Sequence, residues 1–505
     1  METRGIWTAS ALRERLIFNC PRPPEASRPA RTIVIVGAGF SGTAVAINLL
    51  RLPHAGPRRI VLIERAETAR GMAYARRENP HLLNVPAGRM SLSAEDPLQF
   101  LDFAQRSLPR ATEEDFLPRE LYGRYLEASL LRAARAASPD VRLERLHGEV
   151  IALEKPHRAT QLRVHLHSGS TINAHAVVLA PGNPPPAPLP GGHGLPRSRY
   201  APDPWRMPTR FRAGETVLVI GTGLTMADIV LAGAEAAGGR ASIHALSRHG
   251  LLPACQTEFH PVDDDQHRSA LTRGPSLSVR RLVREVRALA EDIELRGGDW
   301  REAIAVVRGM APQLWQSMGA HERQRFLRHV RAYWEVHRHR LPHAAWNALS
   351  ELRRTGRLQI HAGRLLDMVE AGRKVRVSWR ARGASAATTL LVDRVVNCTG
   401  PQYDVRHSRE RLMRSLIADG HVVPDALGLG IATDQHGALI DAGGRAARNL
   451  FYIGPMLRPR FWETTAVQEL RVHAERLARH AAAVVESAGA LTGTGARSAA
   501  FPAFL

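Results

Sequence analysis

Two glycine-rich turns, each between an apolar strand pattern and an apolar helix pattern, carry the clearest chemistry in this 505-residue chain. The first runs through Gly37, Gly39 and Gly42 as Gly-x-Gly-x-x-Gly, and the second places Gly221 and Gly223 at the same initial spacing. In such turns the first glycine permits a tight reversal and the second lets the backbone approach a pyrophosphate, which free N–H groups at the helix N-terminus bind. The sequence therefore predicts two dinucleotide sites.

The residues that end the next strand distinguish the two ligands. Glu64 ends the strand after the first turn, where a carboxylate accepts hydrogen bonds from an adenosine ribose and repels a 2′-phosphate, which suits FAD. Ser247 and Arg248 end the matching strand after the second turn, where a hydroxyl and a guanidinium can hold the 2′-phosphate of NADPH. The alternative is an ordinary α/β turn without a ligand. It weighs more for the second turn, where Met226 replaces the third glycine.

The remaining residues of the two turns are further candidates for cofactor contact, because helix N-termini present unpaired N–H groups. Phe40 and Ser41 extend the predicted FAD site. Thr222, Leu224 and Thr225 extend the predicted NADP site.

Composition limits the possible partners. The net charge of +21 could favour polyanions, but the cations are almost all arginines spread along the whole chain, and no nucleic-acid motif accompanies them, so we expect no nucleic-acid partner. No apolar run approaches the roughly 20 residues that span a bilayer, so we expect a cytoplasmic protein without a membrane partner. The three cysteines lie far apart and form neither a C-x-x-C pair nor a zinc framework, and we expect no metal.

The order of strand, helix and turn signals predicts an α/β fold with two Rossmann-like dinucleotide-binding domains, one for FAD and one for NAD(P), and a helical insertion. Strand-to-glycine corners at Gly182 and Gly400 mark crossings between the domains. The predicted divisions are a disordered N-terminal extension (1–30), the first part of the FAD domain (31–200), the NAD(P) domain (201–360) with its helical insertion (about 276–352), the second part of the FAD domain (361–485) and a C-terminal tail (486–505).

Six further motifs occur in order along the chain: Gly71–Tyr74, His81–Ala87 with Met90–Ser91, Pro118–Leu126, Gly221–Asp228, Tyr333–Arg340 and Trp462–Ala466. Together they resemble the motifs of bacterial FAD/NAD(P)-binding proteins of the YdhS-like group, and the resemblance covers nearly all of residues 31 to 480. This group is similar to class B flavoprotein monooxygenases, whose relatives include amino-acid N-hydroxylases.

The resemblance implies an FAD-dependent, NADPH-consuming monooxygenase that acts through a C4a-(hydro)peroxyflavin on molecular oxygen and a small substrate such as an amino acid. An NAD(P)H:acceptor oxidoreductase without oxygen insertion, and a non-catalytic flavin-binding redox sensor, remain alternatives. Trp205 matches a tryptophan that Baeyer–Villiger enzymes carry before the second glycine turn, but Ala201 stands where their fingerprint has histidine. Ketone oxygenation is thereby disfavoured, and packing alone is an alternative role for Trp205.

The same motifs supply candidates around the flavin ring. Asn84, Val85 and Pro86 lie in an irregular apolar segment expected to line the ring, although a packed Ω-loop is an alternative. In similar flavoproteins the loop that holds Arg119 approaches the cofactor. Thr464 precedes a predicted helix whose start would stabilise negative charge at the pyrimidine end of the flavin, unless it is a plain N-cap.

Asn84, Trp205 and Thr464 are the candidate catalytic residues. Four residues complete the predicted FAD contacts: Val150, Gly182, Gly454 and Thr465.

Overall fold

The protein is built from two large sheets, a small antiparallel sheet and a block of helices. The computed structural model describes residues 15–18, 30–66, 70–75, 81–156, 160–206, 210–258, 265–272 and 277–490. The strands are β1 (Arg15–Phe18), β2 (Arg31–Val36), β3 (Arg58–Glu64), β4 (Val141–His147), β5 (Val150–Glu154), β6 (Leu162–Leu166), β7 (Thr171–Ala174), β8 (Ala176–Leu179), β9 (Tyr200–Ala201), β10 (Thr216–Ile220), β11 (Ser242–Ser247), β12 (Leu358–Ala371), β13 (Lys374–Ala381), β14 (Ala387–Val392), β15 (Arg394–Asn397), β16 (Ala438–Ile440) and β17 (Ala446–Tyr452).

Helices cover the sheets and fill the insertion between β11 and β12. They are α1 (Phe40–Arg51), α2 (Gly71–Tyr74), α3 (Gln99–Gln105), α4 (Arg119–Ala136), α5 (Leu224–Ala236), α6 (Asp265–Thr272), α7 (Val279–Leu295), α8 (Trp300–Gly309), α9 (Ala311–Ser317), α10 (Ala320–His329), α11 (Arg331–Arg338), α12 (His343–Arg354), α13 (Arg411–Ala418), α14 (Arg458–Phe461) and α15 (Val467–Ala490).

The first large sheet has the strand order β1-β4-β3-β2-β8-β17-β16. Its central strands are parallel, and β1 and β16 pair antiparallel at the two edges. Strand β2 is a continuous β-branched run, Ile33 to Val36, because both faces of a parallel sheet are covered. Helices α1, α4 and α15 share a core on one face. The small sheet β5-β6-β7 and helix α13 share the core on the other face.

The second large sheet has the order β14-β13-β12-β11-β10-β15-β9. Strands β9, β15, β10, β11 and β12 are parallel, and β12, β13 and β14 form an antiparallel meander. Helices α5 and α12 cover one face. This arrangement repeats the first domain, in which a strand, a glycine turn and a helix are likewise followed by an antiparallel meander and a last parallel strand.

The helical insertion predicted at about 276–352 is present as helices α6 to α12. Its core contains Trp315, Phe326 and Trp334, and it also takes in Leu429 and Trp462 from the segment that returns to the first domain. The insertion is therefore packed directly against the returning chain, and the predicted fold class is confirmed.

Three predicted domain boundaries need correction. Residues 361 to 397 were assigned to the FAD domain, but β12 to β15 belong to the second sheet, because β15 pairs with β10 there. The chain rejoins the first sheet only at β16. Residues 15–18, predicted as part of a disordered extension, form β1, whose Arg-Leu-Ile-Phe sequence suits a strand, while most of residues 1–29 lie outside the described residues. Helix α15 continues past residue 485 to Ala490, and residues 491–505 lie outside the described residues.

Among the helices that the structure describes, none is long and apolar enough to cross a membrane. Within the same residues, no group of three or more histidine, cysteine or acidic side chains is arranged to hold a metal ion.

Candidate cofactor and active site

The first glycine turn joins β2 to α1 and has the backbone that a pyrophosphate site needs. Gly37 has a φ of +103°, and a Cβ there would lie 2.2 Å from the Ala180 carbonyl oxygen, so only glycine fits. A Cβ on Gly42 would lie 1.8 Å from the Gly37 carbonyl oxygen, so this glycine lets α1 pack closely on its own turn. A Cβ on Gly39 would make only an ordinary van der Waals contact, 3.5 Å from the Gly71 Cα, so packing within the chain does not require glycine at this position.

Helix α1 can hold an anion at its start. The Gly39 N-cap makes no side-chain hydrogen bond, and no acidic residue lies in the first turn, where Phe40 and Ser41 stand. The first N–H groups of the helix therefore have no side-chain acceptor within the chain and can bind an anion. Glu64, at the end of β3, accepts a hydrogen bond from the Ala38 N–H at 2.8 Å, which places the carboxylate beside the turn. This is the position expected for a ribose-binding acid.

Two further glycines lie where neighbouring strands end at the same edge. Gly182 follows β8 with a φ of +75°, and Gly454 follows β17 with a φ of +134°. Because β2, β8 and β17 run parallel, their carboxyl ends meet at the edge that carries the Gly37 turn. A Cβ on Gly182 would meet no atom within 4 Å, so this backbone is open to close approach.

Helix α15 begins at that same edge. The Arg31 guanidinium, at the start of β2, donates to the Val485 and Glu486 carbonyls near the C-terminal end of the helix. The N-terminal end of α15 therefore lies at the opposite end of β2, beside the glycine turn. Thr464, just before the helix, is fully buried, and its hydroxyl has no hydrogen-bond partner, whereas Thr465 is exposed.

The first glycine turn provides the test of whether the site fits the predicted cofactor. The start of α1 offers N–H groups without a competing acidic side chain, and the Glu64 carboxylate stands beside the turn. The turn and Glu64 together fit the pyrophosphate and ribose of FAD. The Thr464 side chain is fully buried, so its predicted catalytic role stays a prediction.

The segment from Asn84 to Ser91 lies against this site. Asn84 is exposed, Val85 and Pro86 are half-buried, and a short 3-10 turn covers Ala87–Arg89. The Arg471 side chain of α15 donates to the Ser91 and Ser93 carbonyls at 3.2 Å each, which ties the segment to the helix. Val150 is different, because its side chain is buried in the core under the small sheet, so only its backbone could contact a cofactor.

Arg119 lies between the two domains. Its guanidinium donates to the Asp228 carboxylate of α5 at 2.8 Å, and its backbone N–H donates to the His81 carbonyl. Trp205 is half-buried beside it, with Arg119 5.7 Å from the ring centre and the His81 ring packed edge-on at 5.7 Å. The predicted role of Arg119 as an FAD contact stays a prediction, and the structure adds that its charge is paired with Asp228 of the second domain. Packing of the two helices brings Arg119 and Asp228 together, and no local sequence pattern predicts this contact.

The second glycine turn repeats the geometry of the first. Gly221 has a φ of +107°, and a Cβ there would lie 2.3 Å from the Cys398 carbonyl oxygen. A Cβ on Gly223 would meet nothing within 4 Å. Helix α5 starts at Leu224, with Thr225 half-buried in its first turn and no acidic residue there. The Thr222 hydroxyl lies 2.8 Å from the Ser247 Oγ, so both hydroxyls are held inside the turn.

Arg248 is exposed at the end of β11, and two residues that the sequence did not indicate accompany it. The Arg382 guanidinium, after β13, donates to the His249 Nδ1 at 3.1 Å. Burial lowers the pKa of His249, and the positive charges of Arg382 and Arg248 lower it further. The end of β11 is therefore a concentration of positive charge, as a 2′-phosphate site requires. The meander brings Arg382 there from a distant part of the chain.

A buried ionic network joins the insertion to the returning chain, and the sequence did not predict it. Glu463 is 6% exposed and accepts from the Trp334 indole N–H at 3.1 Å and from the Arg338 Nε at 3.2 Å. The Arg458 Nη2 donates to the Glu335 carboxylate at 3.1 Å. Burial raises the pKa of Glu335, but a hydrogen bond from His339 and the charges of Arg458 and Arg331 outweigh it and hold the pKa well below its usual value. Two of the motifs noted above, around 334 and 463, therefore touch.

Comparison with known proteins agrees with this geometry. Residues 34–184 match a family model described as FAD-NAD(P)-binding. The ornithine N-hydroxylase of Kutzneria sp. 744, whose structure contains reduced FAD, NADP⁺ and L-ornithine, has a TM-score of 0.60 at 16% identity and covers 91% of this chain and 100% of its own. The chain has the fold of an FAD- and NADP-binding N-hydroxylase.

Two further solved structures share this fold. The cadaverine monooxygenase of Erwinia amylovora, bound to FAD, has a TM-score of 0.58 at 15% identity and covers 95% of this chain and 99% of its own. The L-lysine 6-monooxygenase of Pseudomonas syringae has a TM-score of 0.56 at 18% identity and covers 90% and 99%. No curated protein matches by sequence.

Proposed function

We propose that the protein is an FAD-dependent, NADPH-consuming monooxygenase that hydroxylates a small amine, with an amino acid as the favoured substrate class. The observation that carries this proposal is the pair of matching glycine turns whose following strands end in opposite charges. Glu64 stands beside the first turn, and Arg248 with Arg382 stands beside the second. A carboxylate suits a ribose hydroxyl and a guanidinium pair suits a 2′-phosphate, which separates FAD from NADPH.

Bound FAD would supply the redox chemistry, taking a hydride from NADPH and passing electrons to oxygen. The protein would hold the cofactor in position. The first N–H groups of α1 would bind the FAD pyrophosphate, and Glu64 would accept from its ribose. The start of α15, which follows Thr464 and Thr465, would face the flavin end, and the segment from Asn84 to Ser91 would shield that end from water.

The arrangement also keeps the two domains in a defined relation. The ion pair between Arg119 and Asp228 joins α4 of the first domain to α5 of the second. Trp205 packs beside this pair, at the boundary where a nicotinamide would have to meet the flavin. We assign Trp205 to the wall of this boundary and Arg119 to its alignment.

The substrate class is supported by the related folds, whose names give ornithine, lysine and cadaverine as substrates. All three are small amines. The two cysteines that the structure describes, Cys255 and Cys398, are free thiols, which gives no support to a dithiol acceptor within these residues.

The experiment is an NADPH-consumption assay on purified protein with bound FAD, under labelled oxygen and with a panel of small amines and amino acids. The expected result is consumption stimulated by one class of amine and the appearance of labelled oxygen in that amine. Consumption stimulated only by an artificial electron acceptor would replace the proposal with an NAD(P)H:acceptor oxidoreductase. FAD binding without any turnover would instead favour a redox sensor.

A further inference from the structure

A group of ionic side chains with an excess of positive charge lies where helix α11 of the insertion meets the chain that returns to the first domain. We call Arg331, Glu335, His339 and Arg458 the α11 cluster. One Glu335 oxygen lies 3.1 Å from the Arg458 Nη2 and 3.5 Å from the Arg331 Nε. The other oxygen lies 3.1 Å from the His339 Nε2. Two guanidinium groups thus share one carboxylate, so the cluster is positive whether or not the imidazole is protonated.

Arg331 is the accessible cation of the α11 cluster. Its side chain is 38% exposed, yet burial and the nearby charge of Arg458 lower its pKa. A side chain that solvent reaches while protein surrounds it lines a recess in the surface. Its nearest contact with Glu335 is made by Nε, whereas a guanidinium can bind a carboxylate through two parallel N–H groups. Arg331 can therefore receive a second carboxylate, from a ligand in that recess.

Arg458 supplies a fixed second charge next to Arg331. It is 8% exposed, and its guanidinium lies 5.2 Å from the centre of the Tyr403 ring and 4.3 Å from that of Trp462. The two aromatic faces and Glu335 hold this charge in place, and solvent screens a buried charge less than an exposed one. Arg458 therefore raises the positive potential at Arg331 without having to contact a ligand itself.

The start of α11 adds to this potential. Arg331 is the first residue of the helix, where the helix dipole favours an anion over a cation. The first turn holds no acidic residue, and the Val330 N-cap makes no side-chain hydrogen bond. A cation at this end of a helix is unfavourable for folding alone, and departures of this kind from local preference are typical of binding sites.

The α11 cluster also lies where both large sheets direct their ligands. Tyr403 comes just after the Gly400 corner that follows β15, and its hydroxyl donates to the side-chain oxygen of Asn183, beyond β8, at 3.2 Å. Arg458 begins α14, shortly after the Gly454 turn that follows β17. In open α/β sheets, ligands bind beyond the carboxyl ends of the strands. The cluster therefore borders the region between the two proposed dinucleotide sites.

We propose that Arg331, with Arg458 beside it, binds the carboxylate of the substrate, so that the protein selects an amine that carries a carboxylate over a diamine. For the identity of its ligand this inference rests on the proposed function, which it deepens. The names of the related folds do not decide between the two classes, since they include the amino acids ornithine and lysine and the diamine cadaverine. The excess positive charge attracts a carboxylate and repels the second ammonium group of a diamine, so both attraction and repulsion act in the selection.

The first test compares ligands in pairs that differ by one carboxylate. The pairs are L-lysine with cadaverine, L-ornithine with putrescine, and L-leucine with isopentylamine. Their affinities are measured by calorimetry on the protein as purified, without NADPH, so that no turnover is needed. In at least one pair the amino acid should bind about tenfold more tightly than its amine, because hydrogen bonds between charged groups are the strong ones. The absence of such a preference in every pair would overturn the proposal.

The second test removes the accessible charge. Arg331→Met keeps the apolar stem of the side chain, and it should weaken binding of the preferred amino acid about tenfold and leave binding of its amine unchanged. Arg325→Met is the matched control, because Arg325 lies in α10 of the same insertion, is 46% exposed and also pairs with one carboxylate, that of Glu322 at 3.0 Å. Equal effects of the two variants would refute the assignment.

The third test separates a binding role from a structural one. Glu335→Gln removes the carboxylate that competes for both guanidinium groups, so the amino acid should bind several-fold more tightly even though the fold loses an ion pair. A cluster that only supports the fold would give unchanged or weaker binding in this variant. Either of those results would count against the carboxylate site.

The proposed function and the carboxylate site can fail separately. If Arg331→Met removes the preference for the amino acid but no amine acquires labelled oxygen, the site stands and the proposed function fails. If an amine is hydroxylated while Arg331→Met changes no affinity, the function stands and the site fails. If Arg331→Met weakens NADPH binding and not that of the amino acid, the cluster binds a nucleotide phosphate, and the proposal is overturned.

Discussion

Alanine at the first and second glycines of the FAD turn should have opposite consequences. In Gly37→Ala the new Cβ would lie 2.2 Å from the Ala180 carbonyl oxygen, at a φ of +103° that alanine rarely adopts. The conformational strain costs about 1–3 kcal/mol. Overpacking against the backbone costs about 1–3 kcal/mol more. The sum is a large part of the roughly 5–15 kcal/mol that stabilises a domain, so we expect poor folding with or without cofactor.

Gly39→Ala should instead fold normally and lose the cofactor. Its φ of −69° is open to any residue, and the nearest atom to the new Cβ is 3.5 Å away. The cost to the apo-protein is that of alanine at an N-cap, at most about 1 kcal/mol. In the complex the methyl group occupies the approach path of the pyrophosphate, and about 1–3 kcal/mol of overpacking corresponds to roughly 5- to 150-fold weaker binding.

The assay compares apo-protein Tm, followed by circular dichroism, with FAD affinity, followed by flavin fluorescence. The second domain provides a matched pair, since Gly221→Ala would place a Cβ 2.3 Å from the Cys398 carbonyl oxygen and Gly223→Ala meets no atom within 4 Å. Gly223→Ala should therefore weaken NADPH binding and leave FAD binding unchanged. The reasoning is refuted if Gly39→Ala binds FAD as tightly as the wild type, or if Gly37→Ala is as stable.

Arg248→Ala and Arg382→Ala should each weaken NADPH binding about tenfold and leave NADH binding unchanged, which flavin-reduction rates with the two nucleotides would measure. Equal nucleotide preference in wild type and both variants would contradict the 2′-phosphate site. Arg119→Ala should slow flavin reduction while FAD and NADPH still bind. A double-mutant cycle with Asp228→Asn should give a coupling free energy of about 0.5–3 kcal/mol. Additive effects of the two substitutions would argue against the interdomain ion pair. The pKa of Glu335 is lowered in the folded protein, so its charge stabilises the fold above the unfolded-state pKa of about 4.3. Glu335→Gln should therefore be less stable than wild type at pH 7. The difference in stability should shrink as the pH falls below about 4. A difference independent of pH would show that packing, not charge, is responsible.

The sequence predicted those parts of the fold that depend on local pattern. The strand, turn and helix at Gly37 and Gly221 were predicted because each combines a β-branched run, glycine spacing and a helix pattern within a few residues. The assignment of residues 361–397 was wrong, because the sequence pattern of a strand does not depend on which sheet the strand joins. Arg382 and Glu463 were not predicted as site residues, because their neighbours come from distant segments that only tertiary packing brings together.

The contacts of Arg119 and Trp205 with the second domain show the same limit of prediction from sequence. The sequence indicated both residues as site candidates, but it could not show that the Arg119 guanidinium would pair with a carboxylate of the second domain. Thr464 was predicted from its place before a helix, and its role stays a prediction, because its side chain is fully buried.

The second domain is inserted into the first, and this bears on how the chain reaches its native state. Strands β16 and β17 and helix α15 complete the first domain, but they are synthesised after the whole second domain and its helices. Until α15 emerges, the apolar face of α1, including Val45 and Leu49, lacks its final cover. The first domain therefore begins folding early and finishes last, with contacts of long sequence separation that slow folding and expose apolar surface on the nascent chain. Removal of the last helix would damage the N-terminal domain.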